Sequence, residues 1–184
     1  MLSEVEIEYK YLISSEQFHK LSTVCEKKYT FLKRKLQVNY YYDTNDNALS
    51  RSKITVRIRQ SQNELQLQIK KQMAEKESVT VSEEYSDSID ELPHSMRIPD
   101  VQNKVSLKGN LITERTIYSF GENSIICFDM NMYLGICDYE VEIEVRPNDR
   151  QEVSAVIDAL GLKKTSVMSK RSRFFERLEG MKNE

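Results

Sequence analysis

Polar and apolar residues alternate along several segments of the chain, which is the period of a β-strand with one polar and one apolar face. In the first such segment, Glu6, Glu8 and Lys10 share one face, whereas Val5 and Ile7 lie on the other. The same alternation recurs often enough to predict a protein dominated by an antiparallel sheet. It predicts strands over residues 3–13, 36–44, 54–60, 65–70, 79–85, 111–120, 124–132 and 136–145.

Helical periodicity occurs between and after these strands. Ser14 or Ser15 can cap a first helix, and Asn148 or Asp149 can cap a second one. We therefore expect the α+β class, with one domain over residues 1–184. The first predicted helix runs through Phe18, Leu21, Val24 and Cys25 and ends near Lys27 and Lys28. The second ends at Gly161 and a third covers residues 169–181, so that C-terminal helices occupy about 149–182.

The charges of the chain nearly cancel, because 27 Lys and Arg residues stand against 29 Asp and Glu residues, with a formal net charge of −2. This balance argues against a polybasic tail for nucleic acid or membranes. The chain has no apolar run that could span a bilayer, and its first residues lack the apolar core of a signal peptide, so we expect a cytoplasmic protein. The spacing of Cys25, Cys127 and Cys137 fits neither a disulfide framework nor a zinc site, and reduced thiols are expected.

The charged residues are sorted by sign onto particular strand faces. A solvated face is the simpler explanation for any single strand, but like charges about 7 Å apart on one face repel each other. A divalent cation would compensate the charge of the acidic faces, and a polyanion would compensate the charge of the basic ones. Carboxylate oxygens suit Mg²⁺ or Mn²⁺, and the planar guanidinium group of arginine suits phosphate oxygens. If the sheet curls with these faces inward, it forms a barrel with a polar lumen. The acidic faces carry Glu6 and Glu8, and Glu140, Glu142 and Glu144, and a basic hairpin carries Arg57, Arg59 and Lys70.

The N-terminal pattern Glu6-x-Glu8-x-Lys10 resembles the hallmark of the CYTH superfamily, the triphosphate tunnel metalloenzymes. Further matches follow in order and cover nearly the whole chain, which makes the resemblance specific. They are Gln37-x-Asn39-x-Tyr41-Tyr42-Asp43-Thr44, Arg57-x-Arg59, Lys70, Arg115, Asp129, the run from Glu140 to Glu144, and Lys170-x-x-Arg173.

The resemblance implies an eight-stranded antiparallel β-barrel that forms a tunnel, with flanking helices and a triphosphate and a divalent metal held inside. The late strand offers two overlapping Glu-x-Glu pairs, Glu142 belongs to both, and the sequence leaves the choice between them open. Glu83 or Glu84 is a further acidic candidate. The implied metal ligands are Glu6, Glu8, Asp129, Glu140, Glu142 and Glu144. The implied phosphate-binding residues are Lys10, Arg57, Arg59, Lys70, Arg115, Lys170 and Arg173, and the last helix is expected to close one tunnel mouth over the phosphates.

The leading functional hypothesis is hydrolysis of a triphosphate, inorganic or organic such as thiamine triphosphate, with Mg²⁺ or Mn²⁺ as cofactor. One alternative is a class IV adenylyl cyclase that makes cyclic AMP from ATP, although no residue set in the sequence accounts for adenine recognition. Another is a non-catalytic module that binds nucleotides or polyphosphate. The expected partner is a small-molecule triphosphate or nucleoside triphosphate, without nucleic acid or membrane, for a monomer or homodimer.

Overall fold

The structure is a computed structural model that describes residues 2–76, 78–99, 101–146, 149, 151–163 and 167–183. Its strands are β1 (Leu2–Ile13), β2 (Thr30–Asp43), β3 (Ile54–Ser61), β4 (Glu64–Lys76), β5 (Val79–Ile89), β6 (Ser95–Met96), β7 (Val105–Phe120), β8 (Ser124–Tyr133) and β9 (Ile136–Val145). Its helices are α1 (Ser15–Lys28), α2 (Ala48–Arg51), α3 (Val153–Leu160) and α4 (Lys170–Asn183).

The long strands form one closed antiparallel barrel. Their order is β2-β3-β4-β5-β1-β9-β8-β7, and an additional pairing of β2 with β7 closes the ring. The short strand β6 adds to the outside of β7 through the pairs Ser95 with Ser106 and Met96 with Val105. The antiparallel sheet predicted from the alternating pattern, and the eight-stranded barrel that the resemblance implies, are therefore confirmed.

The barrel has a polar interior, and its apolar residues pack on the outside. One cluster, which includes Tyr11, Phe128 and Ile143, is covered by apolar residues of α1 and α3. A second cluster lies on the opposite wall and includes Val56 and Ile58. Because successive side chains of a strand point to opposite faces, the polar half of each alternating segment is directed into the lumen.

Helix α1 agrees with its prediction in both position and capping. The Ser14 hydroxyl accepts a hydrogen bond from the Gln17 N–H at 3.1 Å, and the Gln17 side chain accepts one from the Ser14 N–H at 3.0 Å. Lys27 and Lys28 lie in the last turn, where they complement the helix dipole. None of the helices in the described part of the chain combines the length and the apolar character needed to cross a membrane.

Of the two predicted N-cap residues of the second helix, Asp149 is wrong and Asn148 lies outside the comparison. Helix α3 has Glu152 as its N-cap residue, while Asn148 lies outside the described residues. Asp149 instead accepts hydrogen bonds from the Asn123 N–H and from the Ser124 hydroxyl, at 3.1 and 2.7 Å. Its carboxylate thus stabilises the β7–β8 turn, a long-range role that local capping rules do not include. The predicted end of this helix at Gly161 is confirmed.

Helix α4 closes one end of the barrel. Phe174 is fully buried, and its ring lies 5.0 Å from that of Tyr41 and 6.3 Å from that of Tyr133. Gly109 has a φ of +152°, and a Cβ added there would come within 2.8 Å of Phe174 Cζ. About one turn before Phe174, Arg171 of the same helix donates a hydrogen bond to the Ile54 carbonyl at 3.0 Å. The helix is therefore held by packing as well as by polar contacts.

Replacing Phe174 by Ala is expected to lower the free energy of unfolding by about 3–5 kcal/mol, because it leaves a cavity between α4 and the barrel. Urea denaturation followed by far-ultraviolet circular dichroism measures this change. Met181→Ala is the matched control on the same helix, since Met181 is 46% exposed, and it should change stability by less than about 0.5 kcal/mol. Equal effects of the two substitutions would contradict this account of the helix.

Candidate anion and metal site in the barrel lumen

The strand order sorts the charges of the lumen into two walls. The acidic wall is formed by adjacent strands β1, β9 and β8, and the basic wall by adjacent strands β7, β2, β3 and β4. Carboxylates and cations therefore face each other across one cavity. The acidic wall comprises Glu6, Glu8, Asp129, Glu140, Glu142 and Glu144, and the basic wall comprises Lys35, Arg57, Arg59, Lys70 and Arg115.

Lys70 lies between the two carboxylates of β1. Its Nζ is 2.6 Å from Glu6 Oε2 and 2.7 Å from Glu8 Oε1, and Lys10 Nζ is 2.8 Å from the same oxygen of Glu8. Burial by itself would raise the pKa of Glu8, but Lys10 and Lys70 outweigh it and lower the pKa to about 2. The same contacts raise the pKa of Lys70 against the opposing effect of burial. Glu8 and Lys70 are consequently ionised as mutual counter-ions at neutral pH.

Arg115 crosses from the basic to the acidic wall. It contacts both carboxylate oxygens of Asp129, at 2.7 and 2.6 Å, and Glu144 at 3.0 Å, and it also contacts Glu142. Burial alone would lower the pKa of Arg115, whereas Asp129 and Glu142 raise it well above its usual value. Burial likewise opposes ionisation of Glu142, yet Lys170 and Arg115 hold its pKa well below the usual range.

Helix α4 supplies the remaining cations of the acidic wall. Lys170 Nζ lies 2.8 Å from Asp129, 3.0 Å from Glu140 and 2.7 Å from Glu142. Arg173 donates to Glu140 at 2.8 Å and also pairs with Asp138 at the end of the barrel. Asp129 and Glu140 are completely buried behind these contacts.

Two arginines of the basic wall, Arg57 and Arg59, each donate a hydrogen bond to a neutral amide oxygen. Arg57 Nε donates to Gln68 at 2.8 Å, and Arg59 Nε donates to Asn39 at 2.9 Å. Arg57 is also 3.5 Å from Glu84, which lies on the lumenal face of β5. The neighbouring Glu83 falls on the other face by alternation, so Glu84 is the member of this predicted pair that belongs to the lumen.

Four carboxylates line the central cavity together: Glu6, Glu8, Glu142 and Glu144. Glu144 is directly opposite Glu8 in the β1–β9 ladder. Burial raises the pKa of Glu144, and the nearby Glu6, Glu142 and Glu8 add to this against Arg115, which shows that the four groups are close together. Such an oxygen donor set fits a hard divalent cation. The pair Glu142 and Glu144 faces the cavity, whereas Glu140 lies behind Lys170.

In the state seen here the cations of the protein itself occupy the spaces between these acids. Within the described ranges, no three Asp, Glu, His or Cys side chains are arranged as a metal centre. Lys70 bridges the β1 acids and Lys170 bridges the β8 and β9 acids, so a metal ion would have to replace at least one ammonium group. The oxygen donors fit a divalent metal ion, but such an ion could bind only where one of these ion pairs has opened.

The structure also brings residues to the lumen that the sequence pattern did not single out. Lys35 extends the polar face of β2 by two residues before Gln37, and Asp138 extends the acidic face of β9 by two residues before Glu140. Continuing each alternation outward would have found both. Cys127 also lies between the walls, with its Sγ 3.9 Å from Glu144, and burial raises its pKa well above the usual value.

The family model of the CYTH domain matches residues 4–172. The chain belongs to the CYTH family. The family predicted from the sequence motifs is thus confirmed, and family membership implies use of a divalent metal.

Relatives of this CYTH chain cover nearly all of its length. YjbK of Bacillus subtilis (strain 168), a candidate triphosphatase, is 25% identical over 190 residues, which are 96% of this chain and 97% of the relative. The crystal structure of a candidate adenylate cyclase from Bacillus halodurans has a TM-score of 0.76 and 25% identity over 95% of this chain and 100% of its own.

A third relative shares the fold at lower sequence identity. HpAC1 from Hippeastrum, a candidate adenylyl cyclase with a dominant triphosphatase activity, has a TM-score of 0.75 at 23% identity. The match covers 93% of this chain and 95% of that one. The proteins to which this chain is similar are thus named as triphosphatases or adenylate cyclases.

Replacing Arg115 by Met is expected to destabilise this CYTH domain by about 3–5 kcal/mol, because it removes from the buried carboxylates of Asp129 and Glu142 one of their two cationic partners. Urea denaturation near pH 7 measures the loss. The low pKa of Glu142 contributes stability above the usual carboxyl pKa, and this contribution is lost as the pH falls through the native pKa. The difference between wild type and variant should therefore shrink in acid.

The control for this substitution is Arg34→Met. Arg34 forms a 3.2 Å ion pair with Glu114 on the exposed outer face of the barrel. Exposed pairs contribute less than about 1 kcal/mol. If both arginine variants lost equal stability, the assignment of Arg115 as the central counter-ion of the acidic wall would be wrong.

Proposed function

We propose that the protein is a divalent-metal-dependent hydrolase of a triphosphate substrate, which it binds between the two walls of the barrel lumen. The observation that carries the proposal is the placement of Arg57, Arg59 and Lys70 around the same cavity as four carboxylates. The proposal applies to one domain over residues 1–184, as a cytoplasmic monomer or homodimer that needs neither nucleic acid nor membrane.

Glu6, Glu8, Glu142 and Glu144 are the proposed metal ligands, and Mg²⁺ or Mn²⁺ is the proposed ion. When bound, the metal supplies charge neutralisation and orientation to the phosphate oxygens. Asp129 and Glu140 are the less favourable candidates from the sequence, because they are fully buried and paired with Arg115, Lys170 or Arg173. They hold the cations of α4 and β7 in position.

The cations of the lumen have two roles in the proposed reaction. The guanidinium groups of Arg57 and Arg59 bind phosphate oxygens in a bidentate manner, and Lys10, Lys70 and Lys170 act as point charges. As a water oxygen bonds to the terminal phosphorus, the phosphoanhydride bond breaks and its electron pair leaves with the diphosphate part of the substrate, while the attacking water gives up its proton to the solvent. Positive groups fixed around the leaving oxygens stabilise that developing charge without reorganisation. Arg115 and Arg173 act mainly by holding the acidic wall in place.

Hydrolysis is favoured over cyclisation by the lining of the cavity. A cyclase must hold adenine as well as the phosphates, and Tyr41 is the one aromatic residue among the described side chains that line the cavity. Phe174 and Phe175 of α4 are buried between this helix and the barrel, so their rings cannot offer a stacking surface to adenine. The triphosphatase activity ascribed to HpAC1 and the naming of YjbK support the same choice.

Incubation of the pure protein with tripolyphosphate, thiamine triphosphate or ATP, each with Mg²⁺ or Mn²⁺, tests the proposal. Metal-dependent release of orthophosphate is the expected result. Formation of cyclic AMP and pyrophosphate from ATP would instead establish a cyclase. Saturable binding without any product would identify a binding module and overturn the proposal.

Glu6→Gln and Glu8→Gln should each lower kcat/KM by at least about 100-fold, because each removes a charged metal ligand. Glu16→Gln on the exposed side of α1 is the matched control and should leave turnover within about twofold. Metal-dependent turnover that survives the β1 substitutions unchanged would disprove the metal assignment.

Lys70 links metal binding to substrate binding. In the described state its ammonium group neutralises Glu6 and Glu8, the same carboxylates that are proposed to hold the metal. A metal that arrives alone must compete with this ammonium group. A metal that arrives with a triphosphate gives Lys70 a new anionic partner, so each ligand should strengthen the binding of the other.

Replacing Lys70 by Met is expected to tighten Mn²⁺ binding in the absence of substrate by about tenfold, since no ammonium then competes for the β1 acids. Titration calorimetry with Mn²⁺, with and without tripolyphosphate, measures this affinity and its dependence on substrate. Lys71→Met is the control from the opposite face of β4, where Lys71 lies over the ring of Tyr85. Weaker Mn²⁺ binding by the Lys70 variant than by wild type would contradict the competition.

A further inference from the structure

Lys35 is a lumenal cation outside the set of phosphate-binding residues named above. It precedes Gln37 and Asn39 on one face of β2, and these two residues are each 2% exposed. The β2–β7 ladder is regular from Lys33 to Tyr41, and within it the backbone of Lys35 lies directly opposite that of Arg115. Because the alternation is unbroken, the side chain of Lys35 projects into the lumen.

Lys35 lies toward the end of the barrel that α4 does not cover. Farther along β2, Tyr41 packs against Phe174 of α4 at 5.0 Å between ring centroids. A strand rises about 3.3 Å per residue, so Lys35 is well separated from that helix. On the neighbouring strand, Arg59 is likewise nearer to this uncovered end than Arg57 is.

Cations dominate the surroundings of Lys35. The charged groups that face it are Arg115 on β7, Arg59 on β3 and Lys33 on its own strand. Cys127 on β8 faces it as well, and burial keeps that thiol neutral by raising its pKa. Burial first, and then the neighbouring cations, lower the pKa of Lys35 to about 8.

Lys35 and Arg59 also differ from the other lumenal cations in their partners. In the part of the chain that the structure describes, Arg59 donates to the amide of Asn39, and no hydrogen bond or ion pair reaches Lys35. Arg171, at the α4 end of the cavity, donates to the Ile54 carbonyl. Six further lumenal cations each lie within 4.0 Å of a carboxylate: Lys10, Arg57, Lys70, Arg115, Lys170 and Arg173.

We propose that Lys35 and Arg59 form a further anion-binding position of the lumen, where Lys35 contacts the end of a polyphosphate that lies farthest from α4. Partly buried like charges without a local counter-charge attract a multivalent anion strongly. This inference rests on the proposed function in naming a polyphosphate as the ligand. It makes Lys35 a specificity residue, because a chain must extend beyond Arg57 to reach it.

Titration calorimetry with tripolyphosphate in EDTA, at low ionic strength near pH 7, measures binding to the whole chain without turnover. Lys35→Gln is expected to weaken binding about tenfold, because one charge-assisted hydrogen bond is lost. Lys35→Arg keeps the charge and should retain most of the affinity. Arg34→Gln is the matched control on the same strand, because Arg34 lies on the outer face of the barrel, where it pairs with Glu114, and it should change affinity less than about twofold.

Thermal unfolding of the ligand-free protein separates substrate binding from a structural role. A lysine whose native pKa of about 8 is below its unfolded value costs stability while it is protonated, and the cost disappears as the pH rises above both values. Lys35→Gln should therefore raise Tm near pH 7, and the increase should vanish in strong alkali. A residue with a structural role would lower Tm when replaced.

Three results would overturn the proposal. They are a lowered Tm with unchanged affinity, equal losses of affinity in Lys35→Gln and Arg34→Gln, and a wild-type protein that binds no tripolyphosphate in EDTA. None of these measurements depends on turnover. Failure of the hydrolase proposal, which is read from orthophosphate release, therefore remains distinguishable from failure of this one.

Discussion

A carboxylate that is removed from water must have a cation at contact distance, because the cost of burying an unpaired charge exceeds what packing can offset. In this barrel the acids of β1, β8 and β9 meet that requirement with Lys70, Arg115 and Lys170, which come from other elements. The ion pairs therefore span the lumen and connect its walls. They determine which strands must be neighbours and where α4 must begin.

A charged lumen forces the hydrophobic core to the outside of the barrel. Small barrels commonly fill their interior with apolar side chains, and this one cannot. Its stability depends instead on apolar clusters between the outer wall and the helices, in which Phe128 packs beneath Phe18 of α1. Helix α4 belongs to both systems, because Phe174 anchors it in an apolar cluster while Lys170 enters the lumen. Packing on the outside thereby positions charge on the inside.

Much of this arrangement could be predicted from the sequence, because period-two alternation is local and places Glu6, Arg57 and Glu142 on polar faces without knowledge of their partners. The early part of β2 was missed because the run Lys33-Arg34-Lys35 is charged on both faces and hides the alternation. The choice between Glu140 and Glu144 depends on the register of β9 against β1 and on Lys170 of α4, which are long-range features. The hydrogen bonds that Asp149 accepts from the β7–β8 turn are equally long-range, whereas local rules predict a helix cap at this position.

The near-neutral charge of the whole chain reflects the compensation of opposite charges inside the lumen in the absence of ligand. Its cations and carboxylates compensate each other, so a polyanion alone would add uncompensated negative charge and a metal alone uncompensated positive charge. A metal and a triphosphate together change the net charge of the lumen less than the triphosphate alone does, while they exchange partners with Lys70 and Lys170. The region of Lys35 and Arg59 differs from most of the lumen, because no carboxylate among the described residues forms a direct ion pair with either side chain. A polyphosphate would therefore be drawn first to this uncompensated end of the lumen and would meet the paired charges afterwards.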